Sequence, residues 1–252
     1  MKRTMIFVYG VICYLMFLAV FLYAIGFIGN FATPTSLDGP ATGSLWTALA
    51  INMGLLSAFA LQHSVMARPA FKRWWTRIVP EAAERSTYVL FTNLALIALF
   101  AHWQPLGGEI WTVTDPLGQA VLYGLFGLGW LIVLLSTFLI NHFDLFGLRQ
   151  VWLHLQGKPY TPLKFTTPWL YKIVRHPLYV GWFLVFWATP TMTAAHLLFA
   201  VVTTIYILIA TRLEERDLED SLGEAYTDYK QRVPRFVPGV GKTKPNPKLQ
   251  TA

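Results

Sequence analysis

The chain has 252 residues, 55% of them hydrophobic and only 13% charged, with a formal net charge of +7. An average soluble domain is about 25% charged, so this composition excludes a disordered chain, a small disulfide-stapled secreted domain and an ordinary soluble enzyme. It leaves a polytopic membrane protein of one domain, or one with a small appendage. The single cysteine, Cys13, can form neither an internal disulfide nor a cysteine zinc site.

A membrane-crossing helix needs about 20 mostly apolar residues. In chain order the hydropathy predicts spans at 5–29, 44–66, 86–102, 118–141, 178–190 and 193–212. The first span follows Met1-Lys2-Arg3, but it is too long for the core of a cleaved leader and has no small-residue cleavage site, so it reads as a retained span. The fifth is too short to cross straight. It would tilt, start within the headgroup layer, or continue from Trp169. The fold class expected is an all-α, polytopic membrane helical bundle of six spans.

The positive-inside rule orients it. Basic residues occur before span one, between spans two and three, between spans four and five, and after span six, and these segments hold all 20 Lys and Arg. The alternate loops, 30–43, 103–117 and 190–192, hold none. Both termini are therefore expected in the cytoplasm, in a bacterial inner membrane. The basic excess is explained by topology and anionic lipid, and no nucleic-acid partner is expected. The expected layout is a single domain over 1–238 and a disordered tail over 239–252, rich in Lys, Pro, Gly and Thr.

Two apparent motifs fail. Gly124, Gly127 and Gly129 lie inside an apolar helix rather than between strand and helix, so they read as small residues for close helix packing. Gly241-Lys242-Thr243 lacks the first glycine of a phosphate loop, since Phe236 stands there. The histidines show no paired metal spacing, and no metal is expected.

The chemically informative stretch runs from Asn141 to Pro238. Pro177 suits the first turn of a helix, with His176 near the N-cap. Free N–H groups at that helix start, with Arg175, would hold an anion. Glu214 and Glu215 sit just past span six, where two acids oppose the helix macrodipole unless a cation or a diol offsets them. A zwitterion with a ribose, such as S-adenosylmethionine, has that chemistry, and Tyr179, Trp182, Tyr226 and Tyr229 offer aromatic faces for it. A ligand-free reading uses the same residues: Arg175 as a topology anchor, with the glutamates paired to Arg212 and Arg216.

The runs RHPLYVG at 175–181, EERDL at 214–218 and GEAYTDYKQRVPRFVP at 223–238 resemble the isoprenylcysteine carboxyl methyltransferase superfamily, integral-membrane enzymes that use S-adenosylmethionine without a Rossmann domain. The resemblance implies that Arg175, His176, Pro177, Tyr179, Gly181, Glu214 and Glu215 line a cofactor pocket, with Tyr226, Tyr229 and Arg235 in a closing segment. NHFDLFGLRQVWLHL at 141–155, PYTPLKF at 159–165, WATPTMTAAHLLFA at 187–200 and LQHSVMARP at 61–69 look like the bacterial branch that methylates a small volatile thiol, methanethiol, to dimethyl sulfide. Hydrogen sulfide is a second acceptor that the same slot would admit. A lipid or prenylcysteine methyltransferase is the enzyme alternative. A small transporter or assembly factor is the non-enzyme one, disfavoured because no inverted repeat is visible.

A thiol is a nucleophile as its thiolate. Ionisable groups at membrane depth are candidates to position or deprotonate it: His63, His142 and Asp144, with His154 a weaker one. Phe143, Phe146 and Tyr160 are assigned to the substrate slot from their place in the matching runs. His102 and His196 are expected to pack or hydrogen-bond locally.

Overall fold

The computed structural model describes residues 2–240. The chain begins with α1 (Arg3–Gly29), α2 (Leu45–Ala67), α3 (Pro69–Trp75) and α4 (Glu81–His102), followed by β1 (Glu109–Thr112). It continues with α5 (Pro116–Ile140), α6 (His142–Leu145), α7 (Leu148–Leu155), α8 (Leu170–Ile173) and α9 (Pro177–Trp187). β2 (Thr191–Thr193), α10 (Ala194–Leu222) and α11 (Glu224–Arg232) complete it. The protein is a polytopic helical membrane protein. Among the described residues four helices, α1, α2, α5 and α10, are long and apolar enough to cross a membrane.

Local chemistry sets the helix ends. Asp115 caps α5 by accepting from the Gly118 N–H at 2.7 Å, and Pro116 occupies the first helical position. Thr193 caps α10 through the His196 N–H at 3.1 Å. Glu81 and Glu84 in the first turn of α4 complement its macrodipole. α5 stops at Asn141, which takes a left-handed conformation (φ 94°), while its side chain accepts from the Asp144 N–H at 3.0 Å and starts α6. That break turns His142 inward.

Contacts sort the loops to two ends of the bundle. At one end Gly157 lies against the Arg3 guanidinium, the Arg85 Nε donates to the Leu145 carbonyl at 2.7 Å, and Arg68 pairs with Asp217 at 2.8 Å. At the opposite end the Trp103 indole donates to the Leu37 carbonyl at 3.0 Å, Asn52 bonds the Gln104 backbone, and β1 pairs antiparallel with β2. His196, 1% exposed, bonds Asp38 and the Phe186 carbonyl there, each at 3.0 Å, a local role as expected. The apolar core between the ends includes Phe27, Leu99, Phe100, Trp130, Phe186 and Phe199.

Several expectations need correction. The third predicted span begins five residues early, at Glu81, so its first turns are charged and it falls outside the four clear spans. The fifth is α9, only 11 residues long, about 16 Å at 1.5 Å per residue. It does not continue from Trp169 as one helix, since α8 ends at Ile173 and Val174 is extended. α10 runs ten residues past the predicted end of span six, to Leu222. Glu214 and Glu215 are therefore inside a helix, about two turns from its end, and the macrodipole argument does not apply to them. Of Gly124, Gly127 and Gly129, Gly129 alone meets a neighbouring helix; a Cβ at Gly124 or Gly127 would meet nothing within 4 Å. The β1–β2 ribbon was not anticipated, because each strand is too short for a hydropathy signal. Of the expected tail, 241–252 lies outside the described residues.

Candidate active site

Pro177 opens α9, and the residues before it are clamped by the segment after α11. The Arg175 N–H donates to the Pro234 carbonyl at 2.8 Å and the His176 N–H to the Arg235 carbonyl at 3.2 Å. Side chains tighten the clamp. Glu215, its side chain 2% exposed, accepts from Arg175 Nε at 3.0 Å and Nη2 at 2.9 Å, and lies 3.0 Å from His176 Nε2. It also accepts from both Arg235 Nε, at 3.2 Å, and Nη2, with Lys230 at 3.8 Å. Arg175 Nη1 donates to the carbonyls of Lys230 and Val233. Arg175 and Glu215, expected to offer an anion site and a cation site side by side, thus neutralise one another. Among the described residues, Arg212 and Arg216 form no ion pair with either glutamate. Lys230 was not anticipated, because a basic residue beside Tyr229 on a polar helix resembles any solvated face.

Glu214 is placed differently. Its Oε2 accepts from the Tyr179 hydroxyl at 3.1 Å, and among the described residues its Oε1 takes no protein hydrogen bond. Nearby, the Tyr229 hydroxyl donates to the Tyr171 carbonyl at 2.6 Å, and the Tyr171 hydroxyl lies 3.5 Å from the Ser136 carbonyl. Phe165 packs edge-on against Tyr226 and Tyr229. Burial first and the Glu214 charge second push the Tyr171 phenol up, so it stays protonated. The Ser136 hydroxyl is buried with no partner among the described residues. Gly181 faces α5: a Cβ there would lie 2.8 Å from the Gly129 carbonyl oxygen.

His142 is 3% exposed and ringed by aromatics. Phe138 stacks on it at 4.3 Å between ring centroids, Phe146 lies at 4.8 Å and Phe143 at 5.5 Å. Its Nδ1 lies 2.8 Å from Thr137 Oγ1 and its Nε2 2.9 Å from the Tyr14 hydroxyl. Burial pushes its imidazole below the ordinary value, which favours the neutral form. A cleft of about 540 Å³ opens beside it, lined by Phe138, Asn141, His142, Phe143 and Leu163 among others. Phe146 stacks on Phe17 at 3.7 Å, and both pack against the cluster of Met66, Tyr88 and Val89. Beyond Tyr88 lies His63, whose ring nitrogens are both 2.9 Å from the Tyr88 hydroxyl, with Thr92 Oγ1 3.3 Å from Nδ1. The two histidines therefore flank one aromatic cluster.

Asp144 pairs with Arg149 at 2.9 Å and accepts from the Tyr160 hydroxyl at 3.2 Å. Arg149 also donates to Thr161 and lies over the Tyr160 ring. Asp144 and Tyr160 border a larger cleft of about 780 Å³ that includes Lys72, Arg85, His154 and Lys158. Burial, with the Asp144 charge, pushes the Tyr160 phenol up. Tyr14, Thr137 and Ser136 were all missed, because a hydroxyl within an apolar run gives no periodic signal.

No family model and no solved structure matches the chain. Among curated proteins it is 60% identical over 242 residues to the methanethiol S-methyltransferase of Crocosphaera subtropica, covering 96% of this chain and 95% of that one. It is 51% identical over 238 residues to the methanethiol S-methyltransferase of Mycobacterium tuberculosis, covering 94% and 98%. A more distant relative is bovine nurim, 33% identical over 184 residues, with 69% and 70% covered.

Proposed function

The chain belongs to the methanethiol S-methyltransferase family, and on that premise we propose that it methylates methanethiol with S-adenosylmethionine, releasing dimethyl sulfide, at the cytoplasmic face of a bacterial inner membrane. The observation that carries the cofactor assignment is Glu214, a carboxylate with one oxygen held by Tyr179 and the other open.

The donor set fits the group. Glu214 Oε1 accepts from a ribose hydroxyl or an ammonium, and the unpartnered Ser136 hydroxyl offers a second polar point. Tyr179, Tyr226 and Tyr229 supply aromatic surface. When bound, the sulfonium supplies an already activated methyl carbon. Arg175, His176 and Glu215 act as a fastening: their mutual contacts hold α9, α10 and the 233–236 segment together around that carboxylate. Pro177 begins the helix that presents Tyr179, and Gly181 lets that helix lie against α5.

The protein's remaining tasks are to admit a small apolar thiol, align it and take its proton. Alignment alone supplies a large part of such an acceleration. Phe143, Phe146 and their aromatic neighbours form the apolar wall, and the same wall admits hydrogen sulfide. A free thiol is mostly protonated at neutral pH, with a pKa of about 8.5 or above, so a neutral imidazole nearby is useful. Asp144 has both oxygens engaged by Arg149 and Tyr160, which suits it to fastening the 160–161 segment. The proton then falls to a histidine.

The test is headspace gas chromatography over cells fed methanethiol, with calorimetry of S-adenosylhomocysteine on the purified protein. Wild type should release dimethyl sulfide. Glu214→Ala should weaken S-adenosylhomocysteine binding by about tenfold or more, the loss of a hydrogen bond to a charged group. Intact binding without dimethyl sulfide would move the acceptor to a lipid or prenylcysteine. Unchanged binding in Glu214→Ala would remove the carboxylate from the site.

A further inference from the structure

His142 has a tautomer that its neighbours decide. Thr137 Oγ1 lies 2.7 Å from the Leu134 carbonyl oxygen. Two oxygens that close must share a hydrogen, and a hydroxyl has only one. Thr137 therefore gives its hydrogen to Leu134 and can only accept from the imidazole nitrogen 2.8 Å away. The His142 proton is thus on Nδ1, and Nε2 presents a lone pair. Tyr14 on α1 lies 2.9 Å from Nε2 and must donate to it. Its oxygen keeps its lone pairs free to accept. The ring is 3% exposed, and the Tyr14 hydroxyl covers Nε2 at 2.9 Å, so a proton delivered through this contact passes by way of the Tyr14 oxygen.

From this arrangement, and resting on the thiol methyltransferase reading, we propose that Tyr14 and His142 form the proton relay for the thiol, with Thr137 as the positioning residue that fixes the relay's direction. The thiol S–H proton passes to the Tyr14 oxygen as the Tyr14 hydrogen passes to His142 Nε2. Tyr14 ends as it began and His142 ends as an imidazolium. The thiolate sulfur forms its new bond to the methyl carbon of S-adenosylmethionine as the donor sulfur's bond to that carbon breaks. The products are dimethyl sulfide, S-adenosylhomocysteine and one proton, which His142 returns to solvent.

Position supports the assignment. Phe143, on the wall of the cleft beside His142, has its ring 6.3 Å from that of Tyr14. Ser136, next to Thr137 on α5, meets the Tyr171 hydroxyl through its carbonyl, and the Tyr171 carbonyl accepts from Tyr229. One turn of α5 thus touches the relay and, through Tyr171, reaches Tyr229, one of the residues assigned to the cofactor. Of the charged groups near His142, Asp144 is paired with Arg149, and Lys164 lines the same cleft. His63 lacks the same definition, because the Tyr88 hydroxyl is equidistant from its two nitrogens.

The test uses the full-length protein in lipid nanodiscs with ring-¹⁵N histidine, the His142 signal being identified by its loss in His142→Gln. Wild-type His142 should show the Nδ1–H tautomer. Thr137→Val should switch it to the Nε2–H tautomer, and Thr137→Ser should restore the wild-type signature. In parallel, Tyr14→Phe should lower kcat for methanethiol by about 100-fold, within the range of general acid–base catalysis, while KM and S-adenosylhomocysteine affinity hold. An Nε2–H tautomer in wild type, or a Tyr14→Phe enzyme with full kcat, would overturn the relay while wild-type turnover upholds the functional reading. A wild type with the Nδ1–H tautomer but no methanethiol turnover would overturn the functional reading, and with it the thiol's part in the relay.

Discussion

Glu215 carries one negative charge against the side chains of Arg175, His176, Lys230 and Arg235, almost wholly out of solvent. Such a group is best judged by what its removal strands. Glu215→Gln should leave two guanidinium groups facing a neutral amide in a buried place, at a cost of about 3–5 kcal/mol. Thermal unfolding in detergent should show the loss. A variant as stable as wild type would mean that water already screens the cluster. Glu214→Gln is a milder change, since its neighbour Tyr179 can still donate to the amide oxygen; it should fold normally and be compromised mainly in cofactor binding. The two adjacent glutamates, indistinguishable by residue type, thus separate by environment: one saturated by protein, the other with an oxygen to spare.

The contact between α5 and α9 is the element on which the site depends. α9 is too short to cross a bilayer by itself, so its position is set by neighbours rather than by lipid. The backbones approach where Gly129 and Gly181 face each other, each lacking a Cβ that would come within 2.8 Å of the other's carbonyl oxygen. Close approach through small residues is a common way for helices to associate in a membrane, where burial of apolar surface gives little drive. Gly181→Val should push α9 from α5, with an overpacking cost of about 1–3 kcal/mol, and displace Tyr179 with it. Gly124→Ala, on the same helix but facing open space, is the control and should be silent. The comparison can be read as folded yield and S-adenosylhomocysteine affinity; equal behaviour of the two variants would count against a structural contact at Gly181. The early start of α4 and the late end of α10 have a related cause. Both continue beyond the apolar stretch as polar helices with contacts outside it: Arg85 with the Leu145 carbonyl for α4, and Arg68 with Asp217 and Lys230 with Glu219 for α10.

At the scale of the molecule, charge and contacts agree about sides. The segments that hold the basic residues meet one another at one end, and the loops that lack Lys and Arg meet at the other. The site candidates fall at the basic end. A basic end faces the cytoplasm in bacterial inner membranes, so a C-terminal fluorescent reporter should be bright and a C-terminal alkaline phosphatase inactive. The reverse result would invert the bundle and place the site outside, away from a supply of S-adenosylmethionine.

Hydropathy period and charge placement are properties of single segments, so the sequence alone determined the membrane class, the existence of the apolar helices and their sorting to two ends. The runs around 175–181 and 214–238 also pointed to the methyltransferase family, because their residue types and spacing survive without coordinates. What only the tertiary structure decided are the pairings between segments far apart in the chain. Arg175 meets Glu215 across 40 residues, and Tyr14 meets His142 across 128. No local pattern distinguishes a glutamate that will be saturated from one left open, or a tyrosine that faces lipid from one that faces an imidazole. Those outcomes depend on which helix packs beside which, and a buried polar group takes its role from the partner that packing provides.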